Sequence, residues 1–469
     1  MILRNILTMA SALALAACAV GPNYAEPKSA SAPVATGPFV SANSPAVSLA
    51  PVAGDWWRLY DDPVLDGLVG DALASNTDVR VAVANIARAR ASLRGARADR
   101  LPQGEIGAGA NYGRSPEGQR LQGADREDWA VDVGLNVSYE VDLFGRVSRQ
   151  VEAARGDAAA AEANADAVRV IVAADTTQAY ADAASGAARL DVARRIVSLL
   201  DQQVKLTERR KEVGMATGLD LARITTLRDQ RSADIPSIEA ERQAALFRLA
   251  TLTGRAPAAL PPIAADRNIS LEITDPIPVG DGAALLKRRP DIRAAERRLA
   301  ADTARIGVAT ADLYPRITLG GSAGSTGSGF GDIFGGGPIR WLLGPLLNWA
   351  FPNQEPARAR IAAAEADTQA SLAEFDGTVL RALEETETAL SSYARSLEQR
   401  QALRAARDQA ERAARIVRAK RQEGASDSLE WLDAERTFAE TEAVLAAQDG
   451  QISRRQIALF RALAGGWST

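Results

Sequence analysis

The side chains on which enzymes and metal sites depend are almost missing from this chain. Among its 469 residues there is no histidine and a single cysteine, Cys18. Nucleophile–base dyads of the Ser-His or Cys-His kind and zinc sites of the Cys/His type are therefore excluded, and no disulfide can form. Acid pairs such as Glu384 and Glu385 abound, but among so many interspersed arginines they read as solvated helix faces, not catalytic carboxylates. The glycine-rich run 320–337 lacks the Gly-Lys-Ser/Thr ending of a phosphate loop. With no catalytic, cofactor-binding or metal-ligating set in view, the chain reads as something other than an enzyme.

The one reactive group left is the Cys18 thiol, and its setting defines its chemistry. Arg4 precedes an apolar run, 6–17, that is too short for a permanent membrane helix and has the form of a cleaved signal. It ends in Leu15-Ala16-Ala17-Cys18, which resembles a bacterial lipobox, where the thiol is acylated and the cysteine becomes the first mature residue. Residues 1–17 are thus expected to be a lipoprotein signal peptide and Cys18 the lipidation site. Ala19, in place of an aspartate, favours sorting to the outer membrane. Residues 18–54, rich in Pro, Ser and Ala after Gly21, are expected to be a lipid-anchored tether. Overall, 46% of residues are hydrophobic, 24% are charged and the net charge is −4. That balance gives no electrostatic case for a nucleic-acid partner.

The element that must carry everything else is a stretch without proline, 146–213. Its alanine content and lone glycines, Gly156 and Gly186, favour one helix of about 68 residues, roughly 100 Å long. Apolar and small residues recur in steps of four and three from Val147 to Val204, with one extra step of four at Thr176. This is a coiled-coil seam with a stutter, although an ordinary long bundle helix would also fit.

The chain is also a tandem duplication. Asn76-Thr77-Asp78 returns as Arg289-Pro290-Asp291, and Asp99-Arg100-Leu101-Pro102 as Asp312-Leu313-Tyr314-Pro315, each 213 positions on. The repeats span 55–254 and 281–469, joined by a proline-rich linker, 255–280. In each, a helix is followed by two strands of period two, about 103–113 and 129–140 in the first and 316–324 and 339–350 in the second. Long hairpins, 146–254 and 354–464, then follow. The strands are about ten residues long, the length a tilted membrane strand needs, and their apolar faces carry aromatics at the ends: Trp129 and Tyr139, Trp341 and Trp349. A soluble sheet with one wet face alternates in the same way. The girdled ends favour a membrane barrel, with 320–337 as part of a mobile extracellular loop. Four strands cannot close a barrel, so it must be shared between chains.

The hairpin tips match as well. Gly214 and Gly424 are helix-ending glycines preceded by basic residues. Thr217 with Asp220, and Asp427 with Glu430, have capping-box spacing.

In this order and spacing, Cys18-Ala19-Val20-Gly21-Pro22-Asn23-Tyr24, Trp56-Trp57-Arg58-Leu59-Tyr60, Asn76-Thr77-Asp78, Tyr139-Glu140-Val141-Asp142-Leu143-Phe144-Gly145-Arg146, Arg288-Arg289-Pro290-Asp291-Ile292 and Ala464-Gly465-Gly466-Trp467 resemble the lipid-anchored, NodT-like branch of the TolC/OprM outer membrane factors. The resemblance implies a TolC-like α+β membrane protein: a homotrimer whose twelve strands close one β-barrel continuous with an α-helical periplasmic barrel. It also implies outer membrane lipids as surroundings, and as partners a periplasmic adaptor and an inner-membrane transporter of the resistance-nodulation-division (RND) class. The function implied is export of small molecules such as drugs, toxic compounds or metal ions, with type I protein secretion as the alternative. The tips Gly214, Leu219, Asp220, Gly424 and Leu429 would dock the adaptor. Asp427, Glu430 and Asp433 would form acidic rings at a periplasmic gate, although Asp220 equally suits a helix cap. At the positions where the family carries an aromatic before each tip glycine, this chain has Lys211 and Arg421. They would latch the gate by salt bridges.

Overall fold

The computed structural model describes residues 19–27, 37–52, 54–114, 116, 126–327, 331, 335, 339–423, 425–426 and 428–464. In chain order the elements are β1 (Val47–Ser48), a 3-10 turn (Trp56–Tyr60), α1 (Pro63–Ser75), α2 (Thr77–Ala98), β2 (Gln103–Arg114), β3 (Glu127–Val141), α3 (Arg146–Glu212) and α4 (Gly218–Leu252). The second repeat supplies β4 (Ile277–Pro278), α5 (Gly282–Arg288), α6 (Pro290–Ala311), β5 (Arg316–Gly327), β6 (Ile339–Asn348), α7 (Glu355–Gln422) and α8 (Ser428–Ala462). Two compact units result, one within residues 1–27, 85–162 and 294–375, the other within 28–84, 163–293 and 376–469. Each draws on both repeats.

The first unit holds an antiparallel sheet of order β2-β3-β5-β6. Hairpins account for β2-β3 and β5-β6, and the β3-β5 pairing joins the repeats. Because strand side chains alternate, the register sorts them into rows. Ile106, Leu135, Ala323 and Trp341 share one row on the apolar face, and Glu105, Asn136, Ser322 and Leu342 the neighbouring row on the other. The expected strand ends at 324, inside a run, 320–337, that also reads as loop; β5 continues to Gly327. A ladder needs only backbone groups, and Leu346 and Leu343 of β6 lie over Gly320 and Gly321, where a side chain would crowd them.

The turn from β3 into α3 explains the Glu140-to-Arg146 motif. Asp142 accepts hydrogen bonds from the N–H groups of Val147 (2.9 Å) and Ser148 (2.7 Å), so it caps the first turn of α3. Arg146 closes the bend by a bidentate pair with Glu140, at 2.7 and 2.6 Å, and those hydrogen bonds raise its pKa. Gly145 has φ +79°, and a Cβ there would lie 2.8 Å from Ala19. Residues 19–24 are therefore seated on this bend. The buried Arg149 donates to the carbonyls of Val20 (3.3 Å) and Gly21 (3.4 Å) and to Asn23 Oδ1 (2.7 Å), while the Tyr24 hydroxyl donates to Glu296 (3.0 Å).

The second unit holds the main core. Trp56 stacks on Phe460 at 4.7 Å, and Leu65, Tyr180, Leu271, Ile277, Leu285, Leu390 and Ile452 are buried in the same cluster. Asp62 caps α1 through the Val64 and Leu65 N–H groups, and it also accepts from the Tyr180 hydroxyl (3.0 Å) and Arg267 (2.8 Å). Burial, reinforced by Asp62, pushes the Tyr180 phenol up, so it remains a donor. The proline-rich linker and the segment 37–52 belong to this core too. Ile277 pairs with Val47 and Pro278 with Ser48 in a parallel ladder, Phe39 is buried, and Val40 and Ser41 donate to Glu387 at 2.7 and 2.9 Å. The described parts of the expected tether are thus bound to the body.

Both repeats close their second long helix at the equivalent carbonyl, by different chemistry. The Asn76 amide donates to Leu252 O (3.0 Å), whereas Arg288 Nε donates to Leu463 O (2.7 Å) and Arg289 to Ala462 O (3.1 Å). Arg289 is held in turn by Asp291 (2.7 Å) and Glu385 (2.8 Å). On the seam of α3, Val147, Val151, Ala158, Ala165, Val172, Thr176, Ala179, Ala183, Leu190 and Leu200 are buried. Between 172 and 187 the burial extends almost all round the helix, where the core packs on it.

Close helix contacts rest on the absence of side chains. A Cβ at Gly156 would sit 2.9 Å from Ala301 Cβ and 3.0 Å from Arg297 O, both parts of the α6 wall. Overpacking of this kind costs about 1–3 kcal/mol. Gly156→Val is therefore expected to lower the thermal midpoint of the purified protein by circular dichroism. Gly67→Ala, with nothing within 4 Å of its Cβ, is expected to leave it unchanged or raise it, by about 0.5–1 kcal/mol of helix propensity. Equal midpoints for Gly156→Val and wild type would contradict the close approach.

Candidate functional site

On the sheet of the first unit, Trp129 and Tyr139 lie ten residues apart on one face of β3, about 33 Å along a strand and about 24 Å when tilted by 45°. Trp129 is exposed and faces Tyr112 across the β2-β3 ladder, at 5.6 Å between rings. Trp341 stands exposed near the start of β6. Trp349 falls one residue beyond the end of β6, stacks on Phe351 at 4.9 Å and donates its indole N–H to Leu313 O (3.1 Å). At the same bend Phe144 stacks on Tyr314 at 4.6 Å. Between these aromatics the face exposes Ile106, Leu135, Val137, Leu319, Leu343 and Leu347, an apolar surface that the described residues leave uncovered, while Val131 on the same face is buried. β6 departs from strict alternation: Leu342 and Leu346 are exposed on its other face. Among the described residues no helix is long and apolar enough to cross a membrane, and no group of acids could hold a metal ion.

The hairpin tips lie in the second unit. Cys18, Gly424 and Asp427 are outside the described residues. At the first tip Gly214 takes φ +77° and ends α3, with Met215 N–H donating to Arg210 O (2.7 Å). Thr217 and Asp220 form a reciprocal capping box: Asp220 N–H donates to Thr217 Oγ1 (3.1 Å) and Thr217 N–H to the Asp220 carboxylate (2.9 Å). Of the two roles open to Asp220, the structure shows the cap. Lys211 is exposed, as are Val213, Met215 and Leu219, so this tip presents apolar side chains to its surroundings.

The second tip is built differently. Arg421 is buried and its guanidinium lies 4.0 Å over the Trp431 ring, a cation–π contact. The Trp431 indole N–H donates to Glu435 (3.2 Å), and Glu435, itself buried, accepts a fork of hydrogen bonds from Arg418 at 2.5 and 2.7 Å. Those hydrogen bonds hold the Arg418 guanidinium above its ordinary pKa. Glu430 is exposed, accepts from Ser426 (3.0 Å) and has Lys420 at 3.6 Å, while Asp433 pairs with Arg436 of its own helix at 2.7 Å. Leu429 is exposed. Arg418 and Lys420 are among the basic residues that precede Gly424 in the sequence; Trp431 and Glu435 carried no signal of their own there. An aromatic one position after Glu430 and ten after Arg421 gains meaning only because it faces that arginine once the chain reverses.

The two sites are thus a girdled apolar sheet face and a pair of helical hairpins with charged tips. The profile of the family described as "Outer membrane efflux protein" matches residues 68–255 and 283–465. The outer membrane protein OprJ of Pseudomonas aeruginosa is 33% identical over 464 residues, 97% of this chain and 94% of that protein. The toluene efflux pump outer membrane protein TtgF of Pseudomonas putida is 30% identical, covering 99% of this chain and 97% of that one. The structure of the outer-membrane channel OprN superposes with a TM-score of 0.88 at 35% identity, over 96% of this chain and all of that one. The chain belongs to the outer membrane efflux protein family, and is a TolC-like efflux channel of the outer membrane that extends into the periplasm.

Proposed function

We propose that three copies of the chain combine their four-stranded sheets into one twelve-stranded barrel, with the helical hairpins forming a tunnel that meets a periplasmic adaptor and, through it, an inner-membrane RND-class transporter. The observation that carries this reading is the pair of open sheet edges. Among the described residues β2 and β6 each have a strand partner on one side only, and the sheet's apolar face is rimmed by aromatics. In hydrocarbon an unpaired strand edge costs several kcal/mol for each group it leaves unsatisfied, so closure by further copies is required. The exported class is small molecules. The relative named for toluene efflux supports apolar cargo. The exposed tips around Gly214, Leu219, Asp220, Gly424 and Leu429 are the adaptor-docking surface in this reading. Acylated Cys18 anchors the chain, and the seating of residues 19–24 on the β3–α3 bend supports an anchor held close to the sheet.

At the tunnel's periplasmic end, Asp427, Glu430 and Asp433 form the acidic gate, and three-fold repetition would crowd like charges and attract cations. Arg421 contributes by stacking on Trp431, and Lys211 and Lys420 supply cations on the exposed side of the tips.

Native mass spectrometry of the detergent-purified protein is expected to give a trimer. A stable monomer that still inserts into bilayers would remove the shared barrel. Cys18→Ser is expected to abolish incorporation of labelled palmitate, and continued labelling would place the anchor elsewhere. In planar bilayers, Glu430→Gln with Asp433→Asn should lower cation selectivity. Arg421→Ala and Trp431→Leu should each raise the resting conductance, because each removes one side of a contact worth about 0.5–2 kcal/mol per copy. Unchanged conductance in both single variants would dismiss the stack as a latch.

A further inference from the structure

The polar face of the sheet contains one contact that crosses an intervening strand. Arg340, at the start of β6, reaches over β5 to Asp132 on β3, with guanidinium-to-carboxylate distances of 2.6 and 2.8 Å. The path is open because the row along which it lies is otherwise glycine: Gly107, Gly134 and Gly324 are the register partners leading to Arg340. A Cβ on Gly134 would come within 3.8 Å of the guanidinium. Thr326, opposite Asp132 on β5, receives a further hydrogen bond from Arg340 and donates to Asp132 at 3.4 Å.

We propose that this Arg340–Asp132 strap fixes the ion selectivity of the channel's outer mouth. The inference rests on the proposed barrel, in which the polar face lines the lumen. Both residues lie toward the strand ends that join the polar runs, so the strap stands at the loop end of the sheet. The polar-face charges of the described strands are Glu105, Asp128, Asp132 and Glu140 against Arg316 and Arg340. Arg340 is the only base among them at the loop end of the sheet. An exposed ion pair adds little to stability. Its effect is on where charge stands: the guanidinium is held flat against the wall and offsets Asp132, leaving the pore open between the copies.

The test is the potassium-to-chloride permeability ratio, from reversal potentials in a salt gradient, of the full-length protein in planar bilayers. Arg340→Gln should raise the ratio about two-fold, the size one uncompensated charge some 8 Å from the path of both ions has in water screened by about 0.1 M salt. Asp132→Asn should lower it by a similar factor, and the double variant should return to the wild-type value. Gly134→Leu keeps both charges but blocks the guanidinium's path, and should change the ratio without changing net charge. Ratios that are the same in all four variants and in wild type, with channels forming normally, would overturn the strap alone. Wild-type protein that forms no channel would overturn the barrel reading and the strap with it.

Discussion

An antiparallel sheet of four strands leaves two edges, and this is the constraint on which the rest of the first unit depends. Among the described residues β2 and β6 pair on one side only, which leaves the backbone groups of their other side without a strand partner. A soluble protein would cover or blunt such edges. Here they run twelve and ten residues, and the apolar face beside them exposes isoleucine, leucine and tryptophan. Such a surface is stable only where hydrocarbon meets the face and another strand meets each edge. The membership in an outer membrane channel family and the open edges therefore describe the same physical requirement.

The duplication shows what that requirement leaves free to vary. The carbonyl that ends the second long helix of each repeat is capped by an amide in one copy and by a guanidinium in the other. The bend from strand to helix is closed by Asp142 and the Glu140–Arg146 pair in the first repeat. In the second, Asn353 caps the helix start, accepting from Glu355 N–H at 3.2 Å. Any donor of suitable reach satisfies an orphan carbonyl, and any short acceptor satisfies the first turn of a helix. Geometry has been kept while chemistry drifted.

This division also explains what could be read from the sequence. Helices such as α3 and α7 and the alternation of β3 are local patterns, carried by period and propensity within one stretch. The packing of 37–52 and of the linker was hidden because it depends on pairings such as Val47 with Ile277, more than two hundred positions apart. The run from Gly320 could be read both as strand, to 324, and as loop, because glycine weakens local strand preference; Leu343 and Leu346 from β6 cover the space its missing side chains leave. That Cys18 is the single thiol was legible from composition alone. The Arg340–Asp132 contact was not, since it requires the register of three strands at once.

At the tips the same reasoning separates the two hairpins. Counting from the tip glycines, Arg418, Arg421, Trp431 and Glu435 of the second repeat correspond to Glu208, Lys211, Leu221 and Thr225 of the first. The first set therefore cannot form the stacked and forked array of the second, and its turn is held by a capping box and apolar contacts around Leu200, Val204 and Ile224. The half-buried Arg418–Glu435 fork gives little net stability compared with apolar packing, but breaking it leaves the buried Glu435 carboxylate unpaired, so it resists partial opening. Apolar contacts have no such threshold and yield gradually as area is uncovered. Two hairpins of one evolutionary origin thus carry tips of different mechanical character. That difference was written in four positions whose residue types mean little until the helices are placed side by side.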